Sequence, residues 1–278
     1  MATRIGFWHD ALRRAIVVIG SLLLPRGCAG CDAPDDVLCP QCRSLFAVGE
    51  EEGASITGAS ITGNQSTAGA VGDRRRMIER RMPAIASGSV AACASYRGAA
   101  RHAILSWKDH GDAECDAAFA ELLTDLAARR GLLDGAASAV RPLIVVPVPS
   151  SRSSIRKRGR WHMRDLARRM ARESSRRGYD VHARCLLAMS GVRGKSVETR
   201  NAGERAGRLD ANRSGGGLRV HIDAVSRRLL DAGAMVVVID DIMTTGSTMR
   251  RVAAALTDAG IPVTDALCLA SVESPRGQ

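Results

Sequence analysis

The chain has 278 residues and a formal net charge of +11, enough for one large domain or about two smaller ones, with a core that needs no staples. Hydrophobic residues make up 45% and charged residues 25%, which excludes a wholly disordered chain, a collagen-like chain and a multi-span membrane protein. Aromatic residues are only 3%, so recognition by rows of stacked rings is excluded too. Lysine occurs only at Lys108, Lys157 and Lys195, against 40 basic residues in all. That Arg-rich balance points to phosphate-bearing partners, or to a coding bias that writes Arg for Lys on a solvated surface.

In chain order, residues 1–24 come first. Ala15 to Leu24 is an apolar run behind Arg13 and Arg14, as in a signal peptide. Asp10 crowds the run, and no small-x-small cleavage site follows. Ten apolar residues do not span a bilayer, which needs about 20. The expectation is a short helix over 8–24 packed on the rest of a cytoplasmic protein without a membrane span. Its eight Cys are then mostly reduced or metal-bound.

Residues 25–46 hold Cys28-Ala-Gly-Cys31 and Cys39-Pro-Gln-Cys42. Each C-x2-C turn aims two thiolates at one point, and two such knuckles complete a tetrahedron around zinc. A closed structural zinc site is expected; a pair of disulfides is the alternative. Cys93, Cys115, Cys185 and Cys268 lie in apolar surroundings and read as small buried core residues.

Residues 47–82 read as a flexible low-complexity linker. Gly53 to Thr57 is repeated as Gly58 to Thr62, Gly/Ser/Thr-rich sequence continues to Gly72, and Arg74–Arg76 follow. Nothing in the repeat offsets its ordering entropy by apolar burial. The linker is expected to uncouple the knuckle from the main domain, residues 83–278.

In that domain, Phe119, Leu122, Leu123 and Leu126 recur at helical spacing, as do Met163, Leu166, Ala167 and Met170. Leu143–Val148 and Ala234–Ile239 are continuous apolar runs, as in strands buried on both faces, and Val263–Val272 reads as a further strand. Ser247 can cap a helix bearing Met249, Val252 and Leu256, which Gly260 and Pro262 end. This alternation implies a parallel sheet flanked by helices, with ligands beyond the carboxyl ends of its strands. The rule singles out Pro147–Arg160 and Asp240–Thr248.

In the second segment a buried strand delivers Asp240 and Asp241 to a turn rich in hydroxyls, Thr244-Thr245-Gly246-Ser247-Thr248, at a helix start. Backbone N–H groups there, backed by the helix dipole, suit an anion, and Gly246 allows close approach. Two carboxylates repel a phosphate, so they are expected to face solvent and to take sugar hydroxyls or help place a ligand-bound metal. Together these features describe a cradle for a sugar 5-phosphate; the plainer reading is a capped helix after a strand.

This segment resembles the signature for 5-phosphoribosyl-1-pyrophosphate (PRPP) in type I phosphoribosyltransferases. The whole layout is similar to the competence-associated ComF family in its actinobacterial form: a four-Cys knuckle, Tyr96, Ile104–Lys108 with His110-Gly-Asp112, then Pro147-Val-Pro149 and Arg158-Gly159. The resemblance implies a type I phosphoribosyltransferase-like α/β fold, PRPP as ligand with Mg²⁺, phosphoribosyl transfer to an acceptor, and a role in DNA uptake with single-stranded DNA and the competence machinery as partners. The alternative is a PRPP or nucleotide sensor, or a single-strand-binding competence protein, without catalysis. By the same resemblance Asp240 and Asp241 hold the ribose hydroxyls, Thr244, Thr245, Gly246, Ser247 and Thr248 bind the 5-phosphate, and Ser150 and Ser151 lie on the pyrophosphate side. Beside them Arg152, Arg156, Lys157, Arg158 and Arg160 form a basic loop that is expected to be mobile without ligand, and Lys108 is a further cation for the pyrophosphate. Between Gly194 and Arg208 the chain departs from the family, with Arg208 where Asn is usual, so the acceptor side is not legible. Gly191 to Ser196 also falls short of a P-loop, because its first Gly would fall at Met189.

Overall fold

The computed structural model describes residues 27–47, 78–137, 141–189 and 217–272. The expected helix over 8–24, the tandem repeat, Arg74–Arg76 and the Gly194–Arg208 segment lie outside the described residues. Helix α1 is Pro40–Ala47, then β1 Ile78–Arg81, β2 Ser89–Ser95 and α2 Gly98–Leu105, which continues as a π-helical turn over Ser106–His110. Next come α3 Cys115–Arg129, α4 Asp134–Ala137, β3 Leu143–Pro147, α5 Arg152–Arg158, α6 His162–Arg176 and β4 Val181–Ala183. The chain goes on through β5 Leu187–Met189, β6 Leu218–Val220, α7 Ala224–Asp231, β7 Met235–Met243, α8 Ser247–Asp258 and β8 Asp265–Ser271.

Six strands form one sheet in the order β1-β2-β8-β7-β3-β4, parallel except for the antiparallel edge strand β1. The apolar runs are buried on both faces by alternation. Val145, Val237, Ile239, Leu267 and Leu269 pack with α1, α2, α3 and α6. Ile144, Val146, Val236, Val238, Ala266 and Cys268 pack with α8 on the other face. The result is a mixed α/β fold with a mostly parallel central sheet between helices. Among the described residues no helix is long and apolar enough to cross a membrane.

Three sequence-based boundaries move. The sheet begins at Ile78, inside the stretch assigned to the linker: Ile-Glu-Arg-Arg has no apolar alternation, and β1 exists because it pairs with β2. Strand β7 runs on to Met243, paired with β8 as far as Met243↔Ser271, so Asp240 and Asp241 lie within a strand rather than in a loop. The knuckle is not uncoupled. Phe46 of α1 is fully buried, its ring centroid 5.4 Å from that of Phe119. Cys28, Leu38, Cys39 and Cys42 share a core cluster with Trp107 and Phe119, and Arg43 of α1 is ion-paired with Glu121 of α3.

The topology places one crevice. From β3 the chain turns through α5 and α6 to β4, on one side; from β7 it turns through α8 to β8, on the other. The carboxyl ends of β3 and β7 therefore flank a switch point, where open α/β sheets bind ligands.

Candidate functional site

A cavity of about 350 Å³ opens at that switch point. Tyr96 follows β2, Lys108 sits on the π-turn, Pro149 and Ser150 follow β3, Arg158 ends α5, His162 opens α6, and Asp240, Asp241, Thr244 and Thr248 come from β7 and its turn. Three loops that are distant in sequence thus meet at one mouth of the sheet.

The carboxylate pair is the electrostatic centre. Asp241 Oδ2 lies 2.6 Å from Lys108 Nζ, and the two side chains are 8% and 21% exposed. The same oxygen is 3.0 Å from His162 Nε2, and Oδ1 accepts the Ile242 N–H at 2.7 Å. Burial opposes ionisation of Asp241, but the His162 hydrogen bond and the Lys108 ammonium overcome it and hold the carboxyl below the usual range. Asp240 accepts the Asp241 N–H at 2.9 Å. Burial first, and then the charge of Asp241, push the Asp240 carboxyl well above the usual range. Adjacent carboxylates driven apart in this way can play unlike roles, one a fixed anion and one a proton-bearing donor. The expectation that both face solvent fails for Asp241, which is buried against His162, whose ring in turn packs on the buried Trp107 with centroids 5.0 Å apart. Lys108, expected as a further cation for the pyrophosphate, lines the cavity and is ion-paired with Asp241. His162 escaped the sequence reading, since its partner Asp241 is 79 positions away and no local spacing links them.

Beyond the strand, Thr244, Thr245, Ser247 and Thr248 are exposed around Gly246. Gly246 adopts φ 73° and is itself the N-cap of α8, so Ser247 is the first helical residue rather than the cap. The Ser247 N–H reaches Thr245 Oγ1 at 3.3 Å. The left-handed φ turns the chain sharply from strand to helix, and a glycine adopts it at no steric cost.

The basic segment is ordered more than expected. Ser151 accepts the Ser154 N–H at 3.0 Å and caps helix α5, so Arg152 to Arg158 form a helix, not a loop. Of the expected pyrophosphate-side residues, Lys108, Ser150 and Arg158 line the cavity. Arg152, Arg156 and Lys157 are exposed and, like Ser151, lie off its wall. Arg158 is 3.1 Å from Asp109, and Arg160 grips both oxygens of Asp116 at 3.0 and 2.6 Å. These pairings leave less free positive charge here than the sequence count implies.

In the knuckle, the sulfurs of Cys28, Cys31, Cys39 and Cys42 all lie within 4.8 Å of one another. Cys31 and Cys39 Sγ are 3.6 Å apart, against about 3.8 Å for the edge of a tetrahedron with 2.3 Å metal–sulfur bonds. Cys28 Sγ accepts N–H groups from Gly30 at 3.4 Å and from Cys39 at 3.3 Å, and Cys39 Sγ accepts that of Cys42 at 3.4 Å. Burial works against the Cys28 thiolate, yet these donors bring its pKa down to about 7. Burial and the neighbouring sulfurs push Cys42 up instead. A Cβ on Gly30 would stand 2.7 Å from Cys42 Sγ, so the turn needs glycine. All four thiols are free, and the set fits a tetrahedral metal ion. Cys93, Cys115 and Cys268 are buried as expected, whereas Cys185, just past the edge strand β4, is exposed.

No protein-family model matches the chain, and no curated protein matches it.

Proposed function

We propose that the chain is a phosphoribosyltransferase-like protein that binds PRPP with Mg²⁺ at the β3–β7 crevice and transfers its phosphoribosyl group to an acceptor, with a structural zinc in the knuckle. One observation carries this reading: at the switch point of the sheet, Asp240 and Asp241 at one end of a short turn and the hydroxyls of Thr244 and Thr248 at the other share a single cavity with Lys108 and Arg158. Sugar hydroxyls pair with the carboxylates, the 5-phosphate with the turn, and the pyrophosphate with the Ser150 and Arg158 side. Mg²⁺ bound with the ligand would supply neutralisation of the leaving pyrophosphate. The chain's own residues supply placement and electrostatics: His162 and Lys108 keep Asp241 anionic near the developing positive charge at the anomeric carbon. Calorimetry with PRPP and Mg²⁺, followed by a pyrophosphate-release assay over nitrogen acceptors, tests the proposal. Absence of PRPP binding refutes it, and binding without release under any acceptor reduces it to a sensor.

A second reading, a single-strand-binding competence protein, draws on a different surface. Arg168, Arg172, Arg176 and Arg184 line a groove of about 650 Å³ between α6 and β4, away from the cavity. Steep salt dependence of single-strand binding, lost when those arginines are neutralised, would favour it.

A further inference from the structure

The turn that follows β7 has two cationic walls that lie outside its own motif. A Cβ on Gly246 would lie 2.8 Å from Met82 Cε and 3.3 Å from Arg250 Nη1, so both side chains press on the turn. From the edge strand β1, Arg80 donates an Nη1 hydrogen to the Thr244 carbonyl. One guanidinium thus arrives from β1 and one from the first turn of α8.

Among the described residues, their surroundings lack compensating charge. Helix starts favour carboxylates, because the dipole and the unpaired N–H groups make that end positive. Helix α8 has no acidic residue in its first turn; it carries Arg250 there instead. The acidic neighbour of Arg80 on β1, Glu79, is engaged with Arg130, which also pairs with Asp265. Among the described residues, no carboxylate pairs with Arg80 or Arg250. A guanidinium offers five donors, and Arg80 uses one on Thr244. Like charges gathered at a positive helix pole repel one another until an anion joins them.

We propose that Arg80 and Arg250 clamp a phosphomonoester dianion from two sides on the Thr244–Thr248 turn. For the ligand proposed above this is the 5-phosphate, and the inference rests on that reading. The clamp makes the edge hairpin β1–β2 part of the binding site, and it selects a terminal phosphate, whose three oxygens can meet both forks and the helix N–H groups at once.

The test is calorimetry on the full chain with three probes: PRPP with Mg²⁺, ribose 5-phosphate, and magnesium pyrophosphate. Arg250 makes no side-chain bond among the described residues, so Arg250→Gln leaves the turn in place, and an unchanged melting curve verifies it. Arg250→Gln and Arg80→Gln should each weaken ribose 5-phosphate and PRPP by about tenfold to a hundredfold, the scale of one charge-assisted hydrogen bond. Magnesium pyrophosphate should bind as before, and Arg80→Lys should restore part of the loss. Gln variants that bind ribose 5-phosphate like the wild type, or that lose magnesium pyrophosphate equally, overturn the clamp. If the wild type binds no PRPP, the reading of the site falls by itself, and inorganic phosphate then judges the clamp. Loss of phosphate in the Arg80→Gln/Arg250→Gln double variant sustains it, and equal binding overturns it.

Discussion

Replacing each carboxylate at the cavity by its amide should move stability in opposite directions. Asp241→Asn keeps the shape but leaves the Lys108 ammonium, 2.6 Å away, without its anion. Breaking a buried ion pair from one side costs about 3–5 kcal/mol. Lys108 retains 21% side-chain exposure and can turn toward the cavity, so the low end applies, about 3 kcal/mol. At 2–4 °C per kcal/mol for a domain of this size, Tm should fall by roughly 6–12 °C. Asp240 carries the opposite sign, because its native pKa is raised. Folding then costs free energy wherever the unfolded chain is ionised and the native group resists, so Asp240→Asn should stabilise the fold at pH 7. The pH dependence separates the two. The contribution of Asp241 is present above the unfolded carboxylate range and is lost as pH falls below about 4 toward its depressed native pKa. The Asp240 penalty is absent below about pH 4 and grows as pH rises from there. Thermal melts of the three proteins from pH 3 to 8, with PRPP titrations at pH 7, read both effects, and both variants should bind PRPP more weakly. An Asp241→Asn protein as stable as the parent at pH 7, or an Asp240→Asn protein that melts below it, would refute the assignment of unlike charge states.

Three further outcomes follow from the packing. Gly246→Ala should lose about 1–2 kcal/mol in urea melts, the left-handed penalty, and should bind phosphate more weakly; an unchanged midpoint contradicts the strained turn. Chelation at neutral pH, followed by near-UV and far-UV circular dichroism, should loosen the main domain and not the knuckle alone, since Cys28, Cys39 and Cys42 share a core cluster with Trp107 and Phe119; a main-domain melt indifferent to metal removal argues for independent units. Phe46→Ala should cost about 3–5 kcal/mol while elemental analysis still finds one metal per chain, because Phe46 is not a ligand. A loss below about 1 kcal/mol would show that the Phe46–Phe119 contact is not part of the core.

Much of the site could be read along the chain because its parts are local. The two C-x2-C turns, the strand entering Asp240–Asp241, and the glycine at 246 each lie within one short segment, and backbone geometry over a few residues dictates what such segments do. The apolar runs at 143–148 and 234–239 likewise announce strands buried on both faces, and the order of strand and helix signals announces a parallel sheet. What the chain could not show is where side chains from separate segments meet. Lys108 and His162 converge on Asp241 only because α2 with its π-turn and α6 pack on the same face of β7. The count of cations in residues 152–160 overstated the free charge, since Asp109 and Asp116 come from another segment to pair with Arg158 and Arg160. Strand β1 has no hydrophobic pattern of its own and exists only through its pairing with β2, yet it brings Arg80 to the Thr244 carbonyl. Phe46 locks the knuckle into the main core although 30 residues of low-complexity and charged sequence, 48–77, separate α1 from β1. Local backbone chemistry determined the cysteine cluster, the strands and the turn; long-range packing, which decides burial and therefore which charges find partners, belonged to the tertiary structure alone.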